Sequence, residues 1–303
     1  MHAPLVIAHR GASGYLPEHT LVAKALAHGQ GADFIEQDVV ATRDGALLVF
    51  HDLSLDALTD VRERFPGRAR PDGRHYCIDF DLAEIRQLQV RERRHPGTGK
   101  PLYPRRFPVE AGAFGIVTLE EELAFLQGLN RSTGRIAGIY PEIKEPAWHR
   151  QHGIELGARV VDVLAGFGYS RPDDPVFLQC FDATELQRLR HELKVSLPLV
   201  QLVEGPDPGL DASALADLAT TVDAIGVDLR LLLAGLPDSG LAAMAHGAGL
   251  KVHGFTVRAD ALPSGYRELT ALLDALCRER GVDGVFTDFP DRVVRYRDGL
   301  PGT

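Results

Sequence analysis

Short runs that combine imidazole, carboxylate and cation stand at the ends of apolar stretches: His9-Arg10-Gly11, Glu36-Gln37-Asp38 and His51-Asp52, with Glu142 and Lys144 further on. His9 and His51 are acid–base candidates because imidazole titrates near neutral pH. Glu36 and Asp38 share one face of a strand, as do Glu142 and Lys144, because side chains repeat every two residues. Three carboxylates aimed into one site repel unless neutralised. A divalent cation with hard oxygen ligands is the simplest solution, so Glu36, Asp38 and Glu142 are the expected metal ligands. The oxygen set favours Ca²⁺ or Mg²⁺ over zinc, and neither His nor Cys spacing suits zinc. The competing reading, ion pairs to Arg10 and Lys144, would suffice for any one carboxylate alone. Arg10 offers a planar fork and Lys144 a point charge, both suited to a phosphate. Metal, cations and two imidazoles together point to phosphoryl transfer.

Among the remaining histidines, His19 and His253 are kept as supporting groups, with His253 on a strand that could face the same mouth. His2, His28, His75, His95, His149, His152, His191 and His246 are set aside. Asp288, just ahead of Pro290, reads as a helix cap rather than a catalyst. Trp148 either lines a pocket or covers a helix end.

The elements that position these groups follow from periodicity. Leu5–Ala8, Phe34–Asp38, Ile136–Ile143, Val176–Cys180, Leu199–Val203, Ala224–Val227, Lys251–Val257 and Val282–Thr287 read as strands. Apolar-periodic stretches separate most of them. Glu36 to Asp52 reads as a β-hairpin turning at Asp44-Gly45, which brings His51 back toward Glu36 and Asp38. Thr118 and Glu121 form a capping-box pattern, and Asp182 with Glu185 starts another helix. Repeated βα units in a 303-residue chain predict a (β/α)8 TIM barrel, a single domain over residues 1–303. A doubly wound sheet is disfavoured because no Gly-rich fingerprint follows the first strand. Residues 53–117 break the alternation and are rich in Arg, Pro and Gly. They are expected to form a small inserted module over the catalytic rim, after the early hairpin. Most of its arginines are expected at the surface, with one or two at the entrance to the site.

The net charge of −9 argues against a general nucleic-acid binder. No apolar run approaches the ~18 residues of a spanning helix, so no stable membrane insertion is expected. The start Met1-His2-Ala3-Pro4 carries no visible signal peptide. Three scattered cysteines form neither a disulfide framework nor a zinc motif, and Cys180 reads as a small core residue. Oligomeric state is not readable from these features.

At this point the residues resemble the glycerophosphodiester phosphodiesterases. The matching runs are His9-Arg10-Gly11, Leu16-Pro17-Glu18-His19-Thr20, Glu36-Gln37-Asp38, His51-Asp52, Pro141-Glu142-Ile143-Lys144, Leu178-Gln179-Cys180-Phe181 and Asp283 to Pro290. The stretch from Asp60-Val61 to Asp79-Phe80, with Arg64-Phe65-Pro66, looks like the bacterial periplasmic branch. The resemblance implies a (β/α)8 barrel with a small insertion. It implies metal-dependent hydrolysis of glycerophosphodiesters such as glycerophosphocholine and glycerophosphoethanolamine to glycerol 3-phosphate and an alcohol. By resemblance His9 and His51 are the acid–base pair. Glu36, Asp38 and Glu142 hold one divalent cation, Ca²⁺ first and Mg²⁺ as the alternative, while Arg10 and Lys144 contact the phosphate. The substrate's own glycerol hydroxyl is implied as first nucleophile, through a cyclic phosphate. The family pattern often has Asn where this chain has His19. A periplasmic or secreted location is implied, with the cytoplasm open in the absence of a visible signal peptide. A phospholipase D-like headgroup hydrolase and a secreted binding or adhesion protein are the alternatives. Intact phospholipid as substrate would favour the first, and ligand binding without hydrolysis the second.

Overall fold

The strands are short apolar runs that alternate with amphipathic helices, and their pairing closes a ring. The computed structural model describes residues 3–95, 97–205, 209–233 and 240–299, which leaves His2 outside the described residues. The strands are β1 (Leu5–Ala8), β2 (Phe34–Ala41), β3 (Leu47–Val49), β4 (Gly138–Ile143), β5 (Leu178–Cys180), β6 (Leu199–Val203), β7 (Ala224–Asp228), β8 (Lys251–Val257) and β9 (Gly284–Thr287). Their order is β1-β9-β8-β7-β6-β5-β4-β2-β3, and β1 also pairs with β2. Every pairing except β2–β3 is parallel, so eight strands close a parallel barrel and β3 lies outside it as the return arm of the hairpin. This is the (β/α)8 barrel expected from the alternation.

Local sequence accounts for the main element boundaries. Gly45 takes φ +82° in the hairpin turn. Thr118 and Glu121 form a reciprocal capping box on the helix Leu119–Thr133. The Asp182 side chain accepts from the amides of Thr184 and Glu185, as the sequence predicts. The helix Leu156–Gly166 buries Leu156, Val160 and Leu164 against the outer face of the barrel. Helices and strands share one core, which includes Val6, Ile35, Leu123, Val160, Leu186 and Cys180. Ile7, Tyr140, Phe177, Val200, Ala224 and Phe286 fill the barrel interior as a separate cluster, as expected for a packed barrel rather than a pore.

Residues after His51 build a second core of their own. Leu55, Leu58, Val61, Phe80, Ile85, Leu88, Val90 and Ile116 pack together with Val40, Leu48 and Phe50 of the hairpin. The hairpin thus has two apolar faces. Val39 and Val49 face the barrel core while Val40 and Leu48 face the residues that follow His51, as strand alternation dictates. Six arginines of the segment are tied to acids within it: Arg62 to Asp56, Arg64 to Asp60, Arg68 to Glu84, Arg70 to Asp79, Arg91 to Glu63 and Arg94 to Glu110.

Candidate functional site

Strand register assembles the carboxylates. Glu36 and Asp38 lie two residues apart on β2, and the parallel pairing of β2 with β4 sets Asp38 directly beside Glu142. Glu142 in turn pairs with Gln179 on β5. The ligand oxygens of Glu36, Asp38 and Glu142 all lie within 4.8 Å of one another, and all three residues are buried. Asp38 Oδ1 has no hydrogen-bond partner, and neither does Gln179 Oε1. Buried oxygens of this kind are costly unless a cation or donor meets them. Burial, reinforced by the charge of Asp38, pushes the Glu36 carboxyl well above its ordinary range. Burial pushes Glu142 up to about 8, with Lys144 opposing and Asp38 adding to the rise. Burial works against the charge of Asp38 too, yet Lys144, His51 and Arg10 hold its carboxyl well below the usual range. Three crowded carboxylates with a bare oxygen fit a hard divalent ion.

Behind Asp38 runs a buried polar chain that sequence reading did not reveal. His19 Nε2 donates to Asp38 Oδ2 at 2.8 Å, and its Nδ1 lies 3.3 Å from Lys24 Nζ. Lys24 also bonds Glu122 at 3.0 Å and the Glu36 carbonyl. Burial and the Lys24 charge push the His19 imidazole down to about 3, so it is neutral and can accept from Lys24 while donating to Asp38. His19 is thus a support for Asp38. Glu122 is masked in sequence by the acids beside it, Glu120 and Glu121, whereas Lys24 stands out only as the lone cation in the apolar run 21–27, which does not say what it meets.

Both candidate imidazoles are oriented through Nδ1. His9 Nδ1 donates to Asp288 Oδ1 at 2.7 Å, and His51 Nδ1 donates to Asp52 Oδ1 at 2.5 Å. Burial and the neighbouring Arg10 push His9 down to about 4 and lower His51 as well, so both rings are neutral near pH 7. Asp288 is therefore not the helix cap expected from the sequence. The helix Pro290–Arg297 has Phe289 at its N-cap position, and no side chain caps it. The Asp288 carboxylate is buried, yet the His9 bond, Arg258 and Arg106 hold it well below the usual range. His253, expected near the mouth, is also corrected. It sits lower in the barrel, fully buried, with Nδ1 2.7 Å from the Tyr140 hydroxyl. Phe255, two residues further along the same strand face, reaches the mouth instead.

Arg10 and Lys144 flank the carboxylates. Arg10 Nε is 3.2 Å from Asp38 Oδ2 and Nη1 is 2.8 Å from Glu18 Oε1. Lys144 Nζ is 2.7 Å from Glu142 Oε1 and 3.7 Å from Asp38 Oδ1. The ion pairs weighed as an alternative to a metal site are present together with the carboxylate cluster. His9, Arg10, Glu36, His51, Glu142 and Lys144 line one cavity of about 500 Å³ at the strand ends. Asp38 lies beneath with no exposed surface. A neighbouring cavity of about 930 Å³ shares His51 and Lys144, is lined by Asp56, Asp60, Arg62 and Arg91, and reaches Trp148. Trp148 therefore lines a pocket, stacked on Tyr76 at 5.8 Å.

Backbone strain marks the turn that carries His9 and Arg10. Arg10 takes φ +59°, a left-handed conformation that costs an L-residue about 1–2 kcal/mol. Its amide donates to Glu36 Oε2 at 2.6 Å, which offsets that cost. Gly11 follows at φ +89°, and a Cβ there would lie 2.8 Å from the Ala23 carbonyl carbon. Gly11→Ala is expected to destabilise the protein by about 2–4 kcal/mol, from left-handed strain plus overpacking. Thermal or denaturant unfolding would measure it, and an unchanged midpoint would refute this account of the turn.

Residues 9–292 match the Glycerophosphoryl diester phosphodiesterase family. The chain belongs to that family. It is 42% identical over 98% of its length to the glycerophosphodiester phosphodiesterase of Haemophilus influenzae, covering 90% of that protein. It is 35% identical over 96% of its length to the glycerophosphodiester phosphodiesterase of Treponema pallidum, covering 91% of it. Among solved structures, a putative glycerophosphoryl diester phosphodiesterase from Silicibacter pomeroyi superposes with a TM-score of 0.75 at 27% identity, covering all of this chain and 97% of that one. A phosphodiesterase from Oleispira antarctica, solved with the product sn-glycerol-3-phosphate, has the same fold with a TM-score of 0.68 at 24% identity, covering 98% of this chain and 97% of that one. Among the described residues, no helix of this family member is long and apolar enough to cross a membrane.

Proposed function

We propose that this member of the family hydrolyses glycerophosphodiesters to sn-glycerol 3-phosphate and an alcohol, with one divalent cation and two histidines. The observation that carries the reading is the convergence of three buried carboxylates, two carboxylate-bonded imidazoles, Arg10 and Lys144 on one site. Glu36, Asp38 and Glu142 would hold the cation, Ca²⁺ by preference and Mg²⁺ as the alternative. When bound, that ion supplies charge stabilisation to the phosphoryl oxygens. Arg10 and Lys144 orient and neutralise the diester phosphate. One neutral imidazole accepts the proton of the attacking glycerol hydroxyl at Nε2. The other gives a proton to the departing alcohol oxygen as the P–O bond breaks, and a nearby anionic phosphate raises its pKa for that role. The roles reverse when water opens the resulting cyclic phosphate. The inserted segment, with its adjoining cavity, is proposed as the lid that receives the alcohol. The periplasmic or secreted location rests on the resemblance of residues 60–80 to that branch.

The test is an assay of the purified protein with glycerophosphocholine and glycerophosphoethanolamine, with Ca²⁺ or Mg²⁺ supplied. Release of glycerol 3-phosphate is expected from both. An intact phospholipid run alongside should be cleaved far more slowly. No release from any deacylated diester would end this reading.

Metal affinity should also depend on pH. Glu142, raised to about 8, is largely protonated at neutral pH when no cation is bound, and burial shifts Glu36 in the same direction, so both carboxyls favour protons over charge in the empty site. The ion must displace those protons, so binding releases protons and tightens as pH rises from 6 toward 8.5. Calorimetric Ca²⁺ titrations in two buffers of different ionisation enthalpy would measure this. Equal affinity at both ends of the range, with no proton release, would contradict it.

A further inference from the structure

We infer that the inserted segment completes the acid–base machinery through two positioning residues, Arg93 and Arg106, which lock the carboxylates that orient His51 and His9. The inference rests on the proposed roles of those histidines. The wiring is the same on both sides of the site. Asp52 gives Oδ1 to His51 Nδ1 at 2.5 Å and Oδ2 to Arg93 Nη1 at 2.8 Å. Asp288 gives Oδ1 to His9 Nδ1 at 2.7 Å and Oδ2 to Arg106 Nη2 at 2.7 Å. A carboxylate committed at both oxygens cannot rotate, and the imidazole bonded to it keeps its ring plane and its Nδ1–H tautomer. The free Nε2 is then aimed by a guanidinium in another part of the chain.

Each guanidinium is itself fixed by a second acid of the barrel. Arg93 forks onto Glu18 at 3.0 and 2.7 Å. Arg106 forks onto Asp260 at 2.9 and 3.0 Å and lies 3.7 Å over the Tyr103 ring. Their side chains are only 14% and 5% exposed. Their neighbours in sequence behave otherwise, since Arg91 and Arg94 pair with Glu63 and Glu110 of the segment itself. Arg93 and Arg106 are thus the planar forks that dock the segment onto both imidazole–carboxylate pairs. The pairs are not equally protected. Asp288 has a further cation, Arg258, at 3.2 Å, whereas the described residues offer Asp52 no ion pair beyond His51 and Arg93.

The experiment compares Arg93→Gln and Arg106→Gln with the wild-type protein, all loaded with Ca²⁺. Gln keeps a polar side chain but cannot form the charged fork. A misaimed ring of about 1 Å is worth roughly 10²-fold in rate, so kcat on glycerophosphocholine should fall roughly 10- to 100-fold. The fall should be larger for Arg93→Gln. For Arg106→Gln the KM should stay within about threefold, because Arg106 touches neither Arg10 nor Lys144. The second readout is independent of turnover: the Nδ1 proton resonances of ¹⁵N-histidine-labelled protein. Arg106→Gln should lose or shift the His9 resonance and spare that of His51, and Arg93→Gln should do the reverse. Should either Gln variant fail to fold, Arg93→Lys and Arg106→Lys keep the charge and carry the same resonance test. Unchanged resonances for both rings, or wild-type kcat in folded Gln variants, would overturn the inference. A wild-type protein that releases no glycerol 3-phosphate would refute the proposed function instead, and the resonances would still decide the wiring.

Discussion

Asp38→Asn is expected to abolish metal-activated turnover while leaving a folded protein. Asp38 touches both cations and the supporting ring of the site: Arg10 at 3.2 Å, Lys144 at 3.7 Å and the neutral His19 at 2.8 Å. Its Oδ1 is buried and has no hydrogen-bond partner. Asparagine keeps the shape and one carbonyl oxygen but removes the charge that makes a hard-cation ligand. Losing a hydrogen-bond partner of a ligand typically costs about 10–100-fold in metal affinity or activity, and loss of a ligand should exceed that. Calcium affinity by calorimetry and glycerol 3-phosphate release would report the loss together. A chelator applied to the wild-type protein should mimic it, and excess Ca²⁺ should reverse the chelator but not the substitution. Activity that survives both treatments would remove the cation from the mechanism. Alanine is the poorer probe, because deleting one partner of a buried charge network costs about 3–5 kcal/mol of stability.

His9→Ala and His51→Ala should each depress kcat by about 10²-fold or more, the usual contribution of a positioned general acid or base. The expected signature is a loss in kcat with Ca²⁺ affinity retained, since neither ring belongs to the carboxylate cluster. The two lesions should combine less than additively if the rings serve successive halves of one proton transfer. Near-normal turnover in both variants would exclude the acid–base role. The same experiment with Asp288→Asn is informative, because the amide can present a donor to Nδ1 and favour the wrong tautomer.

Much of this arrangement is legible in the chain because its grammar is local. Strand periodicity places Glu36 beside Asp38 on one face, and the Asp44-Gly45 turn returns Phe50, whose amide donates to the Asp38 carbonyl at 2.8 Å, so that His51 follows at the mouth. The eight parallel strands follow from apolar runs, and closure follows from their number. What local pattern misses is long-range. Asp288 precedes Pro290 and so looks like a cap, but its partner His9 is 279 positions away. Arg93 and Arg106 are indistinguishable in sequence from the other arginines around them. Only their docking onto Glu18, Asp52, Asp260 and Asp288 sets them apart. His253, which could face the mouth by its strand position, lies deeper, since a strand's period says which side a residue takes but not how far along the barrel axis it lies.

The pairing of β1 with β9 has a consequence for biogenesis. The His9 imidazole precedes by 279 positions the Asp288 carboxylate that aims it. A chain extended only as far as β8 carries Glu36, Asp38 and Glu142 in its sequence, yet lacks the Asp288 carboxylate that holds His9 Nδ1. The aim of His9 is set only when β9 seals the ring between β8 and β1.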